Sequence, residues 1–183
     1  MLVVSDASPI NILIRIGYID ILQRLYGTVV VPPTVLREMS HPDTPTAVRQ
    51  WIQTPPSWVS VRKPAIEVPP QTPGRGEQEA IALALELKAD LLLVDDLKAR
   101  SAAEKSGLSV TGTLGVLERA AECKLLDLKQ AVDELRKSDF RITDDLLDQA
   151  LERDPKRRSL MPPRRNGHES STPNHRETAK DSG

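Results

Sequence analysis

With a single cysteine, Cys123, among 183 residues, no disulfide can form within the chain, and a reduced compartment is the expected setting. Aromatic residues are scarce as well. Two Trp, two Tyr and one Phe are thin material for a broad base-stacking platform. Apolar runs stay far below the length of a membrane span, and the opening MLVVSDASP lacks a basic leader and meets an acidic residue at Asp6. A soluble, cytoplasmic protein without membrane association is expected. Glycine-rich phosphate loops of the P-loop or dinucleotide kind are missing. The three histidines, His41, His168 and His175, are too dispersed for a zinc site or a Cys-His nucleophile pair.

Charge is almost balanced overall but not along the chain. Residues 156 to 183 hold seven Lys/Arg against three Asp/Glu, which leaves 18 basic and 23 acidic residues in the remainder. The tail is basic, rich in Pro and poor in large apolar side chains, so burial cannot offset the entropy of ordering it. The length suits one folded domain, residues 1 to 154, followed by a disordered basic tail, 155 to 183. An acidic body does not capture a polyanion over a broad face, because that affinity comes from Lys and Arg neutralising phosphates. Any nucleic-acid site must be local or assisted by metal.

Short apolar runs alternate with helical patterns. Residues 2 to 5 read as a strand, with Ser8-Pro9 as the cap and first turn of the next helix. The helical pattern from Ile10 to Leu25 is interrupted at Gly17. Val29 to Val31 is a second strand, stopped by Pro32-Pro33 before a helix from Thr34 to Met39. Residues 40 to 75 are rich in Pro and Thr, and only a short WVSV strand can be placed there. A helix from Gly76 to Lys88 precedes the strand Leu91 to Val94, a helix from Leu97 to Lys105 and a strand at Leu108-Ser-Val. Gly112 marks a turn into a helix from Thr113 to Cys123. Helices over Leu128 to Lys137 and Thr143 to Arg153 complete the order. Strands alternating with helices predict a three-layer α/β/α fold around a central parallel sheet.

Ligands of such sheets bind outside the carboxyl ends of the strands. Asp6 ends the first strand there, and Asp95-Asp96 ends another. Glu77 opens a helix and Glu38 lies near the end of one, so both can project toward the same edge. Like charges about 4 Å apart repel by roughly 4 kcal/mol at an effective dielectric of about 20, so convergence demands a cation. Hard divalent ions take oxygen ligands, activate bound water and stabilise a leaving oxygen, which is the chemistry of phosphodiester hydrolysis. Structural roles compete. Asp6 and Asp96 can simply cap helices, and Glu77 is favourable in a first helical turn. Glu38 near a helix C-terminus opposes the dipole, which makes a purely structural role less natural. Glu79, two residues from Glu77, is expected to face solvent or to support it. Arg62, Lys63, Arg75, Lys98 and Arg100 are candidates for holding phosphates or are ordinary surface.

The ordered set resembles a PIN domain, the fold of VapC-type toxin ribonucleases. SDASP, with Asp6 and Ser8, resembles the opening motif, and VPPTVLREM, with Glu38, the second. GEQEAIALALELKADLLLVDD is similar to the third and fourth, with Glu77 rather than Glu79 at the acidic position and Asp95 at the strand end. VTGTLGVLERA and FRITDDLLDQAL resemble a branch of small prokaryotic PIN-like proteins. The resemblance covers residues 1 to about 154. It implies an Mg²⁺ or Mn²⁺ site built on Asp6, Glu38, Glu77 and Asp95, with Asp96 as a further ligand and Ser8 bonding a ligand or a phosphate oxygen. It also implies cleavage of single-stranded RNA, a small antitoxin partner and a homodimer. Asn11, where an apolar residue is usual, Glu in place of Asp at the third acidic position, and the basic tail depart from the pattern. A catalytically silent regulatory module, a structure-specific deoxyribonuclease and a receiver-like phosphoacceptor are the rival readings. The last wants its acidic pair on the first strand, not late in the chain.

Overall fold

A computed structural model describes residues 1 to 66 and 74 to 160, with side chains described through residue 154. The chain runs β1 (Val3–Ser5), α1 (Ala7–Arg15), α2 (Ile21–Tyr26), β2 (Val29–Val31), α3 (Pro33–Met39), α4 (Thr46–Gln53) and β3 (Val59–Val61). It continues through α5 (Arg75–Glu86), β4 (Leu91–Leu93), α6 (Leu97–Lys105), β5 (Val110–Thr111), α7 (Thr113–Glu122), α8 (Leu128–Lys137) and α9 (Asp144–Leu160). The strands form one parallel sheet in the order β3-β2-β1-β4-β5.

This order follows from where the apolar runs lie. β1, β2 and β4 carry side chains buried on both faces, as parallel strands covered by helices require. Alternation divides them between two cores. Val3, Val29, Val31 and Leu93 face the larger one, with α1, α2, α3, α4, α7, α8 and α9. Val4, Val30, Leu92 and Val94 face the smaller one, where α5 and α6 approach through Ala80, Ala84, Ala99 and Ala103. Alanines keep these helices close to the sheet at little cost in helix propensity. Three layers result, as the sequence predicts.

From β1 the chain winds outward to β2 and β3, then returns to place β4 and β5 on the other side of β1. Connections leaving β1 and β4 therefore diverge, and a crevice opens at their carboxyl ends. Asp6 and Asp95 stand on its two sides.

Several local expectations shift. The cap of α1 is Asp6, not Ser8, because the Asp6 carboxylate accepts a hydrogen bond from the Ser8 backbone N–H. The predicted break at Gly17 is a true interruption, with φ at +78° separating α1 from α2. β5 lies two residues later than expected, since Val110 and Thr111 pair with Leu92 and Leu93. α4 went unseen in the Pro- and Thr-rich region, yet Val48 and Ile52, one turn apart, are buried by it. α9 runs to Leu160, past Pro155 and the predicted domain end at 154. The disorder expected for the tail concerns, from residue 161, positions outside the described residues, as do residues 67 to 73.

The two faces of α5 give a direct check on this packing. Leu83 is fully buried and Leu85 is 43% exposed. Leu83→Ala should cost about 2–5 kcal/mol in urea unfolding, and Leu85→Ala no more than about 0.5 kcal/mol; comparable losses would contradict the packing of α5.

Candidate active site

The crevice collects carboxylates because each is fixed by a different backbone element. Asp6 is almost fully buried, at 2% exposure, with its backbone N–H donating to the Leu93 carbonyl at 2.9 Å. The same residue that caps α1 is thereby tied to β4. Burial pushes its carboxyl pKa up, against the N–H groups of Ala7 and Ser8 and the Ser8 hydroxyl, which favour the charged form, while nearby Asp95 raises it further. Ser8 thus holds the Asp6 carboxylate through both its backbone N–H and its hydroxyl.

Asp95 follows β4 and accepts two short hydrogen bonds from Thr113, 2.7 Å from the backbone N–H and 2.6 Å from Oγ1. These bonds and the Arg100 guanidinium favour its ionised form, yet burial still leaves its pKa raised. Gly112 makes the arrangement possible. A Cβ there would lie 2.5 Å from Asp95 Oδ1 and 3.4 Å from the Val94 carbonyl.

Glu38, on the last turn of α3, accepts a hydrogen bond from the Gly76 N–H at 3.2 Å. Gly76 is a second cradle, since a Cβ there would come within 2.5–2.9 Å of the Glu38 carboxyl atoms. Burial raises the Glu38 pKa, and the charges of Asp6 and Glu79 add to the effect. Its side chain also opens to solvent, so partial desolvation and not enclosure is the cause. Glu77, in the first turn of α5, is pushed up to about 7 by burial, then by Asp6, Asp96 and Glu38. Four carboxylates therefore sense one another electrostatically across four elements.

Other predicted residues divide. Asp96 caps α6, accepting from the Lys98 and Ala99 N–H groups at 2.8 Å each, and stands close enough to raise Glu77. Glu79 does not face solvent: it is buried and paired with Arg75 at 2.8 Å across one turn of α5. That pairing occupies Arg75, which had been a candidate phosphate ligand. Arg100 lies beside Asp95, and Lys98 lines the crevice. Arg62 and Lys63 follow β3 and do not line it.

The crevice has a volume of about 740 Å³ and is also bounded by Asn11, Arg15 and the segment Asp139, Phe140, Arg141. Sequence reasoning missed this segment, and it read Gly112 as a turn only. The pattern Thr111-Gly112-Thr113 right after an apolar strand was the available signal.

A sequence profile described as "PIN domain" matches residues 2–155. The chain belongs to the PIN-domain family. PIN domains are in general metal-dependent nucleases, and they usually use divalent metal ions. No curated protein matches the chain. A solved PilT N-terminus domain protein from the hyperthermophilic archaeon Sulfolobus solfataricus P2 is similar at 19% identity, covering 66% of this chain and 93% of that one, with a TM-score of 0.47.

The carboxylates of this PIN domain suit a hard divalent cation in donor chemistry, being all oxygen and short of positive charge. Among the described residues no three His, Cys, Asp or Glu side chains stand close enough to grip one ion together. Asp6, buried, and Asp95, half-buried, both held by hydrogen bonds, would be the fixed ligands, with Glu38 and Glu77 on helices beside them.

Two outcomes follow from this geometry. Because the folded state holds protons on Glu77 between its ordinary value of 4.5 and about 7, the unfolded chain binds fewer protons in that window and stability falls as pH rises through it. The melting temperature in EDTA should therefore drop between pH 5 and pH 7.5, and drop less in Glu77→Gln; an identical drop in both would contradict the assignment. Gly112→Ala, whose φ of −109° suits any residue, should leave the melting temperature within a few degrees of wild type. It should nevertheless weaken Mn²⁺ binding at least tenfold in calorimetric titration, by displacing Asp95; unchanged binding would show that the close approach is unimportant.

Proposed function

We propose that this PIN domain is an Mg²⁺- or Mn²⁺-dependent endoribonuclease that cuts single-stranded RNA, and that it acts as the toxin of a toxin-antitoxin pair of the VapC kind. The observation that carries the reading is the gathering of Asp6, Glu38, Glu77 and Asp95 at the switch point of the sheet, with every one of their pKa values raised. Carboxylates whose pKa values are raised together in a crevice support a site built for chemistry. A structural ion pair would lower them.

A bound divalent cation supplies water of lowered pKa and neutralises charge on the phosphodiester. The chain's own residues supply the rest. Thr113 fixes Asp95 in one orientation, and Ser8 with the α1 N-terminus does the same for Asp6. With its pKa pushed up to about 7 by burial and the neighbouring acids, Glu77 is partly protonated near neutral pH, which lowers the negative charge of the crevice. In this reading Lys98, which lines the crevice, and Arg100, beside Asp95, hold phosphates flanking the cut. The preference for RNA, a small antitoxin and a homodimer are expectations from the family resemblance and belong to this proposal.

The decisive experiment is cleavage of a mixed single-stranded RNA pool by purified protein in Mg²⁺, Mn²⁺ or EDTA, with single-stranded DNA of the same sequence as competitor. Asp6→Asn and Asp95→Asn should each lower the rate at least a hundredfold while circular dichroism and melting temperature stay near wild type. Full activity in either variant, or in EDTA, would refute the assignment. Metal binding without turnover on any nucleic acid would point to the regulatory reading.

A further inference from the structure

The wall of the crevice opposite the acidic strand ends is made by the linker from Ser138 to Thr143, between α8 and α9. Three consecutive residues of it, Asp139, Phe140 and Arg141, line the cavity. A short connection exposing apolar and charged side chains is normally free to move, but this one is pinned. Asp139 forms an ion pair with Arg15 of α1 at 2.5 Å, a contact at the surface in which the Arg15 side chain is 23% exposed and that of Asp139 78%. Inside the linker the Phe140 N–H donates to Ser138 Oγ at 3.2 Å, and the Ile142 N–H donates to the Phe140 carbonyl at 3.0 Å, a tight three-residue turn. Arg136 then bridges to Asp144 and Asp148, fastening the start of α9 to the end of α8.

What this pinned turn presents is unusual for the chain. Phe140 is its one phenylalanine, half-buried against the larger core while still lining the cavity. Arg141 is exposed and forms no ion pair among the described residues, although the crevice it borders is rich in carboxylates. Arg15 is committed to Asp139 and Arg75 to Glu79, so neither is available to a ligand in the same way. An aromatic face beside an unpaired guanidinium, a few ångströms of chain apart, is the combination that holds a single-stranded nucleotide: stacking on the base and charge on the phosphate.

We propose that the linker between α8 and α9 is the substrate-recognition wall, with Phe140 stacking on a base of single-stranded RNA and Arg141 binding the adjoining phosphate. The inference rests on the nuclease reading above and names the residues that position its substrate. Phe140 and Arg141 are positioning residues here, and they act on binding and not on the bond that breaks. In a body of acidic charge, this local pair also explains how a polyanion is held next to carboxylates without a broad basic face.

The test is equilibrium binding of a fluorescently labelled mixed-sequence single-stranded RNA to full-length protein in Mg²⁺ over a salt series. It uses Asp6→Asn as a cleavage-silent background, alone and combined with Arg141→Gln or Phe140→Leu. Arg141→Gln should raise Kd about three- to tenfold and lower the steepness of the salt dependence by about 0.7, the value of one phosphate contact to a single strand. Phe140→Leu should raise Kd at least about fivefold with little change in that slope. Since Arg141 is exposed, its variant keeps the proposal open to refutation even if Phe140→Leu loses stability. Cleavage of RNA by wild type with unchanged Kd and slope in the Arg141→Gln protein would overturn the wall while leaving the nuclease standing. A wild-type protein that neither binds nor cuts RNA would overturn both.

Discussion

Desolvation of Asp6, Glu38, Glu77 and Asp95 at one edge of the sheet, with repulsion from neighbouring carboxylates added at Asp6, Glu38 and Glu77, is the constraint on which the architecture around the site turns. A fold gains nothing in stability from bringing carboxylates together out of water, and the upward pKa shifts of all four measure that cost. The protein tolerates it because each carboxylate is carried by a separate rigid element and held by groups the fold supplies anyway. Asp6 is the cap of α1, Asp95 is held by the first turn of α7, and Glu38 is held by the first turn of α5. Helix N-termini carry partial positive charge and free N–H groups, so they are natural anchors for anions. Three of them point into one crevice because a sheet wound outward in both directions from β1 and β4 sends its helices away from the same edge.

Glycine completes this arrangement at two places where a side chain would fill the position of a carboxylate. At Gly76 and Gly112 the requirement is close approach and not backbone conformation. Thr113 adds specificity. With both its N–H and Oγ1 bonded to Asp95, it converts a flexible acid into one of defined direction, which is what preorganised charge in a site requires. The ion pair of Arg75 with Glu79, one turn further along α5, offsets the charge of a buried acid that still acts on Glu38.

The α/β/α fold was legible in the sequence because its signals are local. Continuous apolar triplets at 2–4, 29–31 and 91–93 mark strands buried on both faces, and Asp, Pro and Gly residues punctuate them. Asp6 and Asp95 were legible for the same reason, since an acid that ends such a strand has to lie at the ligand edge. Glu77 and Glu38 were candidates from their helix positions, but helix position alone does not say which way a side chain turns, and the choice of Glu77 over Glu79 came from the family pattern. Of the two placements expected for Glu79, facing solvent is excluded: its burial depends on tertiary packing, whereas its pairing with Arg75 is a local contact one turn away on α5. α4 was hidden by its short length and Pro-rich flanks. The Asp139 to Arg141 wall was hidden because residues 139 and 15 meet only after α7, α8 and α9 have packed onto α1.

The central claim is that the carboxylate cluster is a cation site whose empty form is partly protonated. Titration of Mn²⁺ into weakly buffered, metal-free protein near pH 6.5, following bound ion and released protons together, tests it most directly. The account predicts saturable binding accompanied by proton release, with both lost in an Asp6→Asn, Asp95→Asn double variant that remains folded. Binding without proton release, or binding that survives in the double variant, would contradict it.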